Sequence, residues 1–345
     1  MNKRADMKAA LERRKPDGAV PVWELEFQAW DAASGQHLIL GHEFEALSPA
    51  EQERTMQANA EIMISVSADL QFAALTGPNA YWEQAPGELA YYCLPGDTRF
   101  RQMEILRELA PNDLMLIGTT GGIIAASYSW EFCRRLIDDP DGMDEMAKSS
   151  LRQSIELARR FRDCGAEAVI SPSDIADNSG PFFKPDQMRH WILPYLEQWS
   201  QAMHEIGLYA ILHSDGNLER YLDAIASTGL DALQAIDPVA GMDMRKTRGI
   251  VGDRLCLCGN IDCGLLLAGR PEEIYGATRS LLIDGREDRG LVLGASNAVQ
   301  PVVPMENYRA MVQAWRDFGQ YESSPNTAIN KSDASDGKQP AALEP

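Results

Sequence analysis

The 345-residue chain has no run of 18 consecutive apolar residues, so no membrane-spanning helix is expected. Its start, Met1-Asn2-Lys3-Arg4-Ala5-Asp6, is charged and lacks the apolar stretch of a secretion signal. Cysteine is sparse: six residues, at 93, 133, 164, 256, 258 and 263, are too few for a disulfide framework in a chain of this length. Together these absences point to a cytoplasmic protein with reduced, mostly buried thiols. Basic residues are also short, with 32 Lys and Arg against 51 Asp and Glu and a net charge of -19. Such a surface repels phosphate backbones, so nucleic acid is not an expected partner. Several motifs are missing too. There is no Gly-x-Gly-x-x-Gly after the first apolar run, no Walker loop, no Gly-x-Ser-x-Gly elbow and no His-Glu-x-x-His.

What is present is a hydrophobic fraction of 45%, enough for a large core, arranged as an alternation. Brief apolar runs at 20–23, 70–75, 114–119, 168–171, 209–213, 232–236, 255–258 and 290–293 read as strands covered on both faces. Amphipathic stretches lie between them. Ser48-Pro49-Ala50-Glu51 carries a helix start, with a cap serine, a proline in the first turn and a glutamate three residues after the cap. Further helices are expected over 143–164, 184–206 (stopped by Gly207), 271–283 and 304–318. Eight strand candidates alternating with helices predict one (β/α)₈ TIM-type barrel over residues 1–321, with a long insertion after the first strand at 24–69. The alternative is a doubly wound open sheet. Residues 322–345 are polar, with little to bury, and read as a disordered tail.

In such a barrel the chemistry gathers at the C-terminal ends of the strands. His213, one of only five histidines, closes the run Tyr209-Ala210-Ile211-Leu212. It could serve as a metal ligand or an acid–base group, or be hydrogen-bonded at the rim. Asp215, two residues on, could share its face or cap the helix that follows. Asp174 and Asp177 could act as acid and base, bind a cation, or cap a loop. Cys263 could reach the mouth, whereas Cys256 and Cys258 alternate in a strand and suit the core. Glu24, Glu26, Asp237, Asn260, Ser296 and Asn297 complete the polar set at strand ends.

The runs Ile211-Leu212-His213-Ser214-Asp215-Gly216-Asn217, Gly259-Asn260-Ile261-Asp262 and Pro301-Val302-Val303-Pro304-Met305-Glu306-Asn307 resemble the uroporphyrinogen decarboxylase superfamily. Gly180-Pro181-Phe182-Phe183 with Pro185 fits as well. The resemblance covers most of residues 18–320, is strongest from Ile170 onward, and implies a (β/α)₈ barrel. True decarboxylases of this superfamily hold an acidic tetrapyrrole with an Arg-Gln-x-Gly-Arg-type segment. Here Val22-Trp23-Glu24-Leu25-Glu26-Phe27 stands in that region, and its carboxylates would repel such a substrate.

The other branch comprises cobalamin-dependent methyltransferases, which exchange methyl groups with a separate corrinoid protein. Its thiol-methylating members hold zinc with His-x-Cys and a distant Cys. By that resemblance His213 matches the histidine, Asp215 replaces the first cysteine and Asn297 the second, with Cys263, Glu24 or Glu26 available to complete the site. Asp and Asn are harder ligands than thiolate. The resemblance therefore implies a zinc-assisted demethylase moving methyl from a small methylated substrate to a corrinoid protein, whose docking the acidic surface would help. Catalysis would fall to His213, Asp215, Asp174 and Asp177, and substrate binding to Glu24, Glu26, Trp23, Phe27, Asp237 and Asn260. The aromatics Trp23, Phe27, Trp30, Tyr81 and Trp82 would suit a methoxylated aromatic or another small apolar donor. The alternatives are a decarboxylase and a non-catalytic barrel that binds a small ligand.

Overall fold

A computed structural model describes residues 2–80, 93–286 and 289–321. Seven of the short apolar runs pair in parallel and in chain order: β1 (Ala74–Thr76), β2 (Met115–Thr119), β3 (Ala168–Pro172), β4 (Tyr209–Ser214), β5 (Ala232–Ala235), β6 (Cys256–Cys258) and β7 (Leu291–Val292). The first candidate run closes the ring. Val22 forms parallel bridges to Phe72 on one side and Leu293 on the other. Val22 O accepts from Ala73 N at 2.8 Å, and Trp23 N donates to Leu293 O at 2.9 Å. The eight segments thus form a closed (β/α)₈ barrel, as the alternation of the sequence implied.

Both strand faces are buried, which is why the strands read as continuous apolar runs. Met115, Ile117, Ala168, Ile170, Ile211, Ala232, Cys256, Cys258 and Val292 fill the interior. Leu116, Val169, Leu212, Leu233 and Leu257 face the helical layer. Cys256 and Cys258 therefore pack as core residues, and burial raises the Cys258 thiol well above its ordinary range. Helix Lys3–Leu11 contributes Met7, Ala10 and Leu11 to the interior cluster.

Helix Pro49–Asp69 begins at Ser48, whose backbone N–H and hydroxyl both donate to Glu51. It ends at Leu70, and Gln71 turns the chain at φ 66°. That turn displaces the second strand from the expected 70–75 to Ala74–Thr76. The long insertion holds two further short helices, Trp30–Ser34 and Gly41–Glu45. Tyr81, Trp82 and residues 322–345 lie outside the described residues. Among the described residues no helix is long and apolar enough to cross a membrane.

Candidate active site

β4 carries His213 to the mouth of the barrel, 5% exposed. Its ring is held from the neighbouring strand. His213 and Gln234 are register partners across β4 and β5, and His213 Nδ1 lies 2.5 Å from Gln234 Oε1. The other end of that amide, Nε2, donates to Ala295 O at 3.3 Å. A backbone carbonyl only accepts, so the amide nitrogen must face Ala295 and the amide oxygen must face the ring. Nδ1 therefore carries a proton, and the neutral tautomer compatible with this anchor is the one whose lone pair is on Nε2.

That lone pair meets two carboxylates. His213 Nε2 is 3.7 Å from Asp174 Oδ1, and one ligand atom each from Asp174, His213 and Asp215 lie within 4.8 Å of one another. The loop after β3 is tied to β4 by Ile175 N donating to Ser214 Oγ at 3.2 Å, which keeps Asp174 beside Asp215. Asp215 N donates to Asp174 Oδ1 at 3.4 Å. Burial, then the neighbouring Asp174 charge, raises the Asp215 pKa, and His213 partly offsets this. Asn297 Nδ2 donates to Asp215 Oδ2 at 2.6 Å, while its Oδ1 takes the Ala298 N–H at 2.7 Å. Asn297 thus presents a donor that orients Asp215; its oxygen is already engaged.

Asp174, His213 and Asn297 open onto a cavity of about 390 Å³, whose walls also include Glu26, Gln28, Asp237, Cys263 and Ser296. No Lys or Arg lines it among the described residues. Glu26 accepts from Asn79 Nδ2 and from Gln28 Nε2, and burial raises its pKa. Burial also raises Asp237, which caps the turn at Val239 N and accepts from Ser296. Cys263 Sγ lies 3.7 Å from Ala298 O and 3.8 Å from Ser296 Oγ, and burial pushes its thiol up to about 11.

Other expected site residues fall elsewhere. Asp177 sits in the small hairpin Ala176–Asp177/Gly180–Pro181, where its carboxylate accepts from Tyr128 Oη at 2.7 Å, Ser179 N at 2.7 Å and Gly180 N at 3.2 Å. It is the loop cap of the Asp174/Asp177 alternative, and it does not line the cavity. Asn260 Nδ2 donates to Ile236 O at 2.9 Å, and the residue lines a different cleft between the outer helices. Trp23 belongs to the barrel interior, its Nε1 donating to Thr76 Oγ1 at 2.9 Å. Phe27 is 4% exposed and packs edge-on against Trp30, Phe72 and Tyr308. The aromatics of the first insertion that are described thus stabilise the core and do not wall the cavity. Glu24 is buried behind it, accepting from Tyr308 Oη at 2.6 Å and Ala295 N at 2.8 Å.

Gln234, Gln28 and Tyr308 were not singled out from the sequence. For Gln234 a signal existed: it is a polar residue on the inward-facing register of an otherwise apolar strand, Ala-Leu-Gln-Ala.

The fold and site define a parallel (β/α)₈ barrel with an imidazole and two carboxylates at its C-terminal mouth. The chain belongs to the uroporphyrinogen decarboxylase (URO-D) family, whose profile matches residues 97–318. It is 24% identical over 220 residues to the methylcobamide:CoM methyltransferase MtaA of Methanosarcina barkeri, covering 63% of this chain and 62% of that protein. It is 27% identical over 196 residues to uroporphyrinogen decarboxylase of Coxiella burnetii, covering 55% of this chain and 51% of that protein. The matches thus span 51% to 62% of the length of these curated relatives. A solved methyltransferase from Methanosarcina mazei shares the fold, with a TM-score of 0.69, 18% identity, and coverage of 92% of this chain and 99% of that one.

Proposed function

We propose that this family member transfers a methyl group from a small methylated substrate to the cobalt of a corrinoid carried by a separate protein. The observation that carries the reading is the His213–Asp174–Asp215 cluster, of which His213 and Asp174 line a cavity whose described lining has no Lys or Arg. The relationship to MtaA supports the reaction class.

The cluster fits a divalent cation, zinc in this reading. One imidazole nitrogen with its partner nitrogen anchored, plus two carboxylates, is an accepted donor set, and the absence of thiolate makes it a hard one. A bound zinc ion would draw charge from the heteroatom that carries the methyl group. The remaining work is done by the protein. Gln234 holds the His213 ring, Asn297 orients Asp215, and Ser214 keeps the Asp174 loop against β4. Cys263 is not among the side chains whose ligand atoms gather within 4.8 Å of one another at this cluster, so it is not counted as a ligand in this reading.

The decarboxylase alternative draws on the Coxiella burnetii relative. A porphyrinogen's carboxylates would meet Glu26, Asp174 and Asp237 with no Lys or Arg among the described lining residues to hold them. The test is incubation with a Co(I) corrinoid protein and a panel of methylated compounds, read as methyl-cobalt absorbance. Elemental analysis of wild type and His213→Ala runs alongside. Methyl-cobalt formation that is lost in His213→Ala is expected. Release of CO₂ from uroporphyrinogen, or no methyl transfer and no metal, overturns the reading.

A further inference from the structure

We propose that Asn260 is a positioning residue for the candidate active site: it holds a left-handed turn at Ala235-Ile236 that puts Gln234 and Asp237 on the same side of the barrel mouth. Along β5 the side chains alternate as a strand requires. Ala232 lies in the barrel interior, Leu233 faces the helical layer, and Gln234 faces inward to His213. Continued alternation would send residue 236 inward and residue 237 outward. The chain does the opposite. Ile236 joins the cluster of the helical layer, and Asp237 lines the cavity with His213.

The backbone shows how the order is inverted. Ala235 has φ 113° and Ile236 has φ 51°, so two consecutive residues with a Cβ occupy the region that favours glycine. Both are buried, and for the β-branched Ile236 the conformation is strained. Such strain persists only where the surroundings over-determine it. Here the surroundings are the end of β6. Asn260 Nδ2 donates to Ile236 O at 2.9 Å. Gly259 lets the chain come that close, because a Cβ there would lie 2.5 Å from Ala235 O. Gly259 N donates to Val292 O and Ile261 N to Gly294 O, both at 3.0 Å, which fixes the segment carrying Asn260 to β7 and the residues after it.

Asn260 lines a cleft outside the His213 cavity, so it acts through the turn and not on a ligand. Without its hydrogen bond the turn relaxes toward negative φ. Asp237 then leaves the wall, Gln234 loses its fixed orientation, and His213 Nδ1 loses a fixed acceptor. The effect on the ring stands on this geometry alone; its consequence for a metal rests on the methyl-transfer reading.

The test uses the full chain, free of metal, with isotope-labelled histidine ring nitrogens followed by NMR and His213 assigned from His213→Ala. Asn260→Leu and the isosteric Asn260→Asp each remove the N–H donated to Ile236 O. In both, the His213 ring signals are expected to move toward their positions in Gln234→Leu, while those of the exposed His37 and His190 stay in place. Ala235→Gly in the Asn260→Leu background should restore the His213 signals, because glycine takes φ 113° without being held. Unmoved His213 signals in the folded variants, or displaced signals that Ala235→Gly does not restore, overturn the proposal. Asn260→Asp decides alone if Asn260→Leu fails to fold. Zinc affinity, read by chelator competition, should fall about fivefold in Asn260→Leu, less than in Gln234→Leu. Asn260→Leu combined with Gln234→Leu should lose no more than Gln234→Leu alone, because the two residues act in series. Losses that multiply overturn the route through Gln234. A wild-type chain that binds no zinc rejects the metal of the methyl-transfer reading and leaves the ring signals to decide the role of Asn260.

Discussion

Gln234 Oε1 accepts the Nδ1 proton of His213 at 2.5 Å, and the far end of the same amide is pinned by the carbonyl of Ala295. The pair works as a tautomer lock: two strands side by side determine which imidazole nitrogen faces Asp174 and Asp215. Gln234→Leu removes the lock while keeping most of the volume. Metal affinity is expected to fall roughly 10- to 100-fold, the usual effect of losing such an outer partner. Gln234→Glu, which can still accept from Nδ1, should recover much of it. Chelator competition with zinc reads the difference, and an unchanged affinity in Gln234→Leu would remove Gln234 from the site.

The buried Glu24 gives the fold a pH dependence of definite sign. Desolvation pushes it up to about 8, against an ordinary value of 4.5. Between those values the native state keeps a proton that the unfolded chain releases, so stability falls as pH rises and levels off above the upper value. The slope contributed is at most about 1.4 kcal/mol per pH unit. Glu24→Gln should flatten it, leaving stability near wild type at pH 5 and above wild type at pH 8.5. Urea unfolding at the two pH values measures this; parallel slopes for the two proteins would show that Glu24 ionises normally.

Asp177 separates the two acidic residues that the sequence presents together. It caps a hairpin with Tyr128, Ser179 and Gly180 and is absent from the cavity wall. Asp177→Ala is expected to cost about 1 kcal/mol of stability from the lost hydrogen bonds and to leave metal stoichiometry intact. Asp174→Ala should lose metal at little cost in stability. If Asp177→Ala also loses the metal, the site extends further than the geometry indicates.

Cys263 lines the cavity with a thiol raised to about 11. Alkylation by iodoacetamide should therefore be slow at pH 8 and quicken toward pH 10. Cys263→Ser should retain bound metal. Loss of metal in that variant, or protection of the thiol by zinc, would make Cys263 a ligand.

The sequence by itself determined the barrel. Its strands are apolar on both faces, so they read as brief hydrophobic runs, and their spacing by amphipathic stretches leaves little choice of architecture. His213 was legible for the same reason, as a rare imidazole at the end of such a run. What the sequence could not decide is which way a polar side chain turns once its strand ends. Asp174 and Asp177 look alike in sequence, but only Asp174 is brought to His213, because the Ser214–Ile175 bond folds the loop there and the hairpin consumes Asp177. Phe27 looked like a substrate wall until its pairing with residue 299 turned it into the core and turned Glu26 and Gln28 outward. Tertiary structure decided these points because each depends on contacts between segments dozens to hundreds of residues apart, where local pattern carries no information and only the closure of the barrel sets the neighbours.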